Sequence, residues 1–241
     1  MSKRIIPVSV VLLLLLAAGL SAAGCGRNEP AQKETRQEAT QQKEEGPTKE
    51  AGGAHDASRT VTMNGRSVMG GWMESWGFSW EGPVEKNGYF FDYKELDASE
   101  LGNMSGSFAG NVDGLPAGSV VFFKFCFADF SGDNLSTLEG IIDEVVNTAR
   151  EKGLRLIIGN ALPVRKQDSP DGVVTEYKKY NEFLQATAAA NPDVWIYDFY
   201  GVLAGSDGYL KPEYDTGDSH PNGKGYAALD LTFFPFLEGV F

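Results

Sequence analysis

From Thr60 onward the apolar residues fall into two textures: short unbroken runs, and longer stretches with an apolar residue every three or four positions. The short runs are "TVTMNG", closed by Gly65, then "GYFFDYKEL", "SVVFFKFCFADF", "LRLIIGNALP" and "PDVWIYDFY". Successive apolar residues bounded by Gly, Pro, Asn or Asp predict strands, several of them buried on both faces. Between them lie helical patterns. "SVMGGWMESWGFSW" has helical spacing of its aromatic and methionine positions, weakened by Gly70 and Gly71. "STLEGIIDEVVNTAREKG" is amphipathic and ends on Gly153 as a cap, and "TEYKKYNEFLQATAAAN" follows the next strand. "GKGYAALDLTFFPFLEGVF" is a closing helix, and residues 98–112, rich in Gly and Ser, read as a loop or weak helix.

Strand alternating with helix predicts right-handed βαβ units. The expected class is α/β, a three-layer αβα sandwich around a central, mostly parallel five-stranded sheet. Ligands of such sheets bind beyond the carboxyl ends of the strands. The polar residues just past each run therefore matter most: Ser67, Gly106, Asp129, Asn160 and the segment around His220.

The chain before Thr60 is different. Residues 1–24 combine the basic "MSKR" with the apolar "IIPVSVVLLLLLAAGL", the pattern of an export signal too short for a comfortable membrane span. "SAAGC" then resembles the lipobox of bacterial lipoproteins, with Ala22 where leucine is usual. That resemblance implies a diacylated Cys25 as the mature N-terminus, anchored on the extracytoplasmic face of the cell envelope. Residues 25–59 carry no aromatic residue and no aliphatic one larger than alanine, so they read as a solvated spacer. Residues 60–241 are the expected folded domain, about 180 residues and ample for one core.

Composition narrows the chemistry. A net charge of -12 argues against nucleic acid and against an anionic membrane surface as direct partners, leaving the lipid anchor as the membrane link. Of the two cysteines, Cys126 lies in an apolar run and reads as a buried structural thiol. No His/Cys cluster, phosphate loop or dinucleotide fingerprint occurs, so neither a metal nor a cofactor is expected.

Candidate chemistry concentrates at two places. In "MNGRSVMGG", Ser67 stands at a strand-to-helix junction, where its hydroxyl is exposed and its N–H belongs to an unpaired first helical turn. The same position suits a helix N-cap. In "YDTGDSHPNGKGYAALD", His220 is the one histidine outside the spacer, which holds His55. Asp218 precedes it by two residues, so one short loop can bring a carboxylate to Nδ1 while Nε2 faces a serine. Asp215, five residues upstream of His220, is the competing acid. This pairing favours Ser67 as a nucleophile.

"NGRSV", "VWIYDFYGVLAGSDGYLKPEY" and "GYLKPEYDTGDSHPNGKGY" resemble the SGNH (GDSL-type) hydrolases, from about Thr60 to the C-terminus. The resemblance implies a flavodoxin-like fold, Ser67 as nucleophile, and Asp218 and His220 on one loop. Met69 does not fit the Gly-x-Ser-x-Gly elbow of the α/β-hydrolases. Three residues depart from the pattern: Arg66 replaces an aspartate, Gly217 occupies the usual acid position, and Ala128 stands where an oxyanion asparagine is expected. The oxyanion candidates are then the Ser67 N–H, Gly106 or Gly110, and the Asn160 amide.

The implied activity is a surface-anchored serine esterase or deacylase acting on a small-molecule or glycan ester, with O-acetyl groups favoured. Trp72, Trp76, Phe78 and Trp80 suit either a substrate wall or simple core. An O-acyltransferase with the same triad and a non-catalytic SGNH-like binding lipoprotein are the alternatives.

Overall fold

The computed structural model describes residues 59–241. The signal segment, Cys25 and the spacer as far as Ser58, with His55, lie outside the described residues. Arg59, assigned to the spacer by composition, packs on the domain: its guanidinium lies 4.2 Å from the Tyr89 ring centre and 3.1 Å from Glu238.

The chain forms β1 (Thr60–Gly65), α1 (Ser67–Ser75), β2 (Val84–Lys86), β3 (Tyr89–Glu95), α2 (Asn103–Asn111), β4 (Val120–Phe123) and α3 (Leu135–Glu151). It continues through β5 (Arg155–Gly159), α4 (Val173–Ala190), β6 (Val194–Tyr197), α5 (Phe199–Leu203) and α6 (Gly223–Leu237). The sheet order is β2-β3-β1-β4-β5-β6. Every neighbouring pair is parallel except β2 with β3.

The sheet has six strands where the pattern predicted five. The addition is β2, joined to β3 through Asn87 and Gly88 at φ 53 and 76, the paired left-handed residues of a tight hairpin turn. Residues 98–112, read as a loop or weak helix, contain α2. The run "PDVWIYDFY" is a strand only to Tyr197, because the Asp198 carboxylate accepts from the Gly201 N–H and starts α5.

Alternation along the strands sets the layers. Val121, Phe123, Leu156 and Ile158 pack with α2, α3 and α4 on one face. Val61, Met63, Phe122 and Ile157 pack with α1 and α6 on the other. Helix α3 buries Leu138, Ile141, Ile142, Val145, Val146 and Ala149, a single stripe at helical spacing. It stops as expected at Gly153, which takes φ 65. Trp72 and Trp76 are core residues of α1, and both indole N–H groups donate to Asp230 Oδ1 of α6, at 2.7 and 3.0 Å. Cys126 is buried and free. Because β1 is a central strand, the residue that follows it emerges near the middle of the sheet's carboxyl edge.

Candidate active site

Gly65 ends β1 and the chain turns at once into α1. A β-carbon on Gly65 would lie 2.7 Å from Met69 Cβ, so only glycine permits this junction. Arg66 is the N-cap, in extended conformation and with no side-chain cap bond, and Ser67 is the first helical residue. The capping reading of Ser67 thus gives way: its hydroxyl is exposed and stands 2.9 Å from His220 Nε2. The α1 N–H groups of the first turn receive no side-chain cap, which leaves donors beside the hydroxyl.

The His220 loop is a tight reversal between Asp215 and Pro221, which form an isolated antiparallel bridge. Thr216 N–H donates to the His220 carbonyl at 3.0 Å. Closing it places Gly217 at φ 107 and Ser219 at φ 73. A left-handed non-glycine residue is uncommon and needs local compensation. Ser219 has it: its N–H donates to Asp215 Oδ1 at 2.9 Å, and its hydroxyl accepts from the Arg165 N–H at 3.2 Å. Asn222 then caps α6, accepting from the Lys224 and Gly225 N–H groups while its amide donates back to the Glu213 carbonyl. The Pro-Asn-Gly that follows the histidine is therefore the anchor that fixes its loop to a helix.

Asp218 Oδ1 lies 3.0 Å from His220 Nδ1, the other side of the ring from Ser67. The oxygen sits off the N–H axis, so Nδ1 has a close contact there rather than an aligned hydrogen bond. Such contacts in unliganded sites commonly tighten when substrate binds. The same oxygen accepts from the Thr216 hydroxyl at 2.6 Å and the His220 N–H at 3.2 Å. These donors, Thr216 first and then His220, pull the Asp218 carboxyl down to about 2. Asp215 faces the other way, toward Ser219 and Arg165. Of the two competing acids, the structure brings Asp218 to the ring.

The remaining candidates separate. Asn160 is not a free amide: its Nδ2 donates to Asp198 Oδ1 at 2.7 Å and its Oδ1 accepts from the Tyr200 N–H, which ties β5 to the start of α5. Gly106 is exposed one turn inside α2, where the helical ladder takes its N–H, and Gly110 lies further along the same helix. Neither glycine N–H is left open. Asp129, by contrast, is buried at the site: its Oδ2 accepts from the Cys126 N–H at 2.6 Å and its Oδ1 pairs with the Arg66 guanidinium.

Sequence reasoning missed three supports. Thr216 holds the acid. Phe127 sets its ring edge-on to His220, with centres 5.2 Å apart. A cavity of about 260 Å³ beside the loop is lined by Phe127, Ala128, Phe130, Val164, Pro170 and Asp218. On the opposite flank, Phe78 and Trp80 pack against Tyr93, whose hydroxyl donates to the Arg66 carbonyl at 3.3 Å. Trp80 is 73% exposed, so of the four aromatics after the serine it alone presents most of its surface to solvent.

No protein-family model and no curated protein matches the chain. Solved structures do. A GDSL-like lipase from Bacteroides thetaiotaomicron is 18% identical with a TM-score of 0.61, over 76% of this chain and 90% of that one. A member of the lipolytic G-D-S-L family from Veillonella parvula is 18% identical with a TM-score of 0.56, over 74% and 98%. A carbohydrate esterase of family 3 from Talaromyces cellulolyticus is 15% identical with a TM-score of 0.53, over 75% and 97%. The chain therefore has the SGNH (GDSL-type) hydrolase fold.

Proposed function

We propose that the protein is a serine hydrolase that cleaves an ester, with Ser67 as nucleophile, His220 as general base and acid, and Asp218 as the carboxylate that steadies the imidazole. One observation carries the reading: the Ser67 hydroxyl is 2.9 Å from His220 Nε2, while Asp218 Oδ1 is 3.0 Å from Nδ1. Nε2 accepts the hydroxyl proton as Oγ attacks the ester carbonyl. The tetrahedral oxyanion forms beside the open N–H groups of α1, and Nε2 then returns its proton to the departing alkoxide. Water repeats the cycle to free the acid. The solved relatives named above include lipolytic proteins and a carbohydrate esterase, which supports an ester as the substrate class.

The finer reading is deacylation of a glycan by a protein held at the cell envelope through a lipid on Cys25. The exposed Trp80 offers a flat face of the kind on which a sugar ring stacks. A fluorophosphonate probe tests the core of the proposal. It should label Ser67 in the native protein and leave Ser67→Ala unlabelled, whereas equal labelling of both, or of neither, refutes it.

A further inference from the structure

We propose that Arg66 is a catalytic residue, its guanidinium donating to the oxyanion in place of a side-chain amide. This rests on Ser67 being the nucleophile. Arg66 directly precedes Ser67 and crosses from the end of β1 to the end of the neighbouring strand β4, where it pairs with Asp129. The anchor is built for the purpose. The Asp129 side chain is 4% exposed and held by the Cys126 N–H, while the Arg66 side chain is 31% exposed and so reaches the open edge. Between Cys126 and Asp129 lies Phe127, whose ring meets His220. One short segment thus touches the guanidinium at one end and the imidazole at the other.

Elimination points to the same group. Among the described residues, the Asn160 amide is buried and donates to Asp198 Oδ1, and the buried Asn64 amide donates to the Thr62 carbonyl at 3.1 Å. Ala128, exposed in the short turn Phe127–Asp129 that follows β4, has only a methyl group. A guanidinium has five N–H donors, and Arg66 has just one with a hydrogen-bond partner among the described residues. Anchored by Asp129, it is oriented before substrate arrives, which is what makes a donor effective against developing charge. In the step itself Ser67 Oγ bonds to the carbonyl carbon and the π pair moves onto oxygen. The hydroxyl proton goes to His220 Nε2. Arg66 donates a hydrogen bond to that oxygen and transfers no proton.

The test compares Arg66→Met, which carries no donor, with the native protein on 4-nitrophenyl acetate and on phenylboronic acid, which forms a tetrahedral adduct on a nucleophilic serine. Loss of one oxyanion donor predicts a fall in kcat of about 100-fold or more with KM within about threefold. Boronate affinity should fall in parallel, and added guanidinium ion should partly restore Arg66→Gly. A purely structural Arg66 predicts no guanidinium rescue and no selective loss of the boronate. Folded Arg66→Met with kcat within about threefold of native overturns the assignment. Should burial of an unpaired Asp129 prevent folding, Arg66→Met/Asp129→Asn measured against Asp129→Asn gives the same comparison. Native protein that reacts with neither ester nor boronate overturns the nucleophile reading and this one together. A reactive Ser67 with an indifferent Arg66 overturns only this one.

Discussion

Ser67 Oγ and His220 Nε2 meet at 2.9 Å although 153 residues of chain separate them. The contact joins the end of a central strand to a loop before the last helix, so it belongs to the tertiary fold and to nothing local. Ser67→Ala and His220→Ala should each slow hydrolysis of an activated ester by roughly 10³-fold or more while leaving thermal unfolding nearly unchanged. A tenth of native activity in either variant would remove that residue from the mechanism.

Asp218 and Asp215 should answer differently to the same isosteric change. Asp218→Asn removes the charge facing the imidazole and should cost about 10²- to 10⁴-fold in kcat. Asp215→Asn keeps an oxygen able to accept from the Ser219 N–H and should stay within about threefold. Steady-state rates of the two single variants decide, and a reversed order reassigns the acid.

The Thr216 hydroxyl is the largest contributor to the depressed Asp218 carboxyl. Thr216→Val should raise its midpoint from about 2 toward the ordinary 3.8, followed by carboxyl-carbon NMR. The sign for stability follows from the depression: the contribution is complete above the ordinary value and fades as pH falls through about 2. Native Asp218 is therefore charged throughout the neutral and mildly acidic range. A midpoint that does not move in the variant would shift control to the His220 contacts.

Trp80 offers a separate handle on specificity. Trp80→Ala should raise KM for an acetylated oligosaccharide by about fivefold, in line with ~1 kcal/mol for an exposed aromatic contact, and leave 4-nitrophenyl acetate unchanged. Equal loss on both substrates would argue against a sugar platform.

Anchoring is tested apart from chemistry. A fatty-acid analogue fed to cells should label the native protein and not Cys25→Ser. A chain beginning at Ser58 should unfold cooperatively and keep full ester turnover. Failure of that chain to fold would move the domain boundary upstream.

Most of the sheet was readable because buried parallel strands are continuous apolar runs, as in "VVFF" of β4 and "LII" within β5. Strand β2 escaped because it is three residues long with a single apolar one, although Asn87-Gly88 between it and "YFFDY" is itself a hairpin signal. His220 stood out as the one histidine beyond the spacer, with a carboxylate two residues away. Its supports did not. Phe127 reaches the ring from another strand end, and Arg66 finds Asp129 across 63 positions. Asn160 looked like a donor because it directly follows β5, but Asp198 directly follows the adjacent parallel strand β6 and takes the amide. Pairings of this kind depend on strand order, which periodicity does not reveal.

The clasp of Asp230 on Trp72 and Trp76 has a consequence for how the protein comes into being. It ties the helix that begins with Ser67 to the helix that follows His220, using a carboxylate ten residues beyond the histidine. A polypeptide still emerging from the ribosome holds the Ser67 hydroxyl for most of its synthesis without His220, Asp218 or the clasp. On the proposed mechanism, reactivity waits for the final helix, and a copy clipped ahead of Asp230 should be inactive.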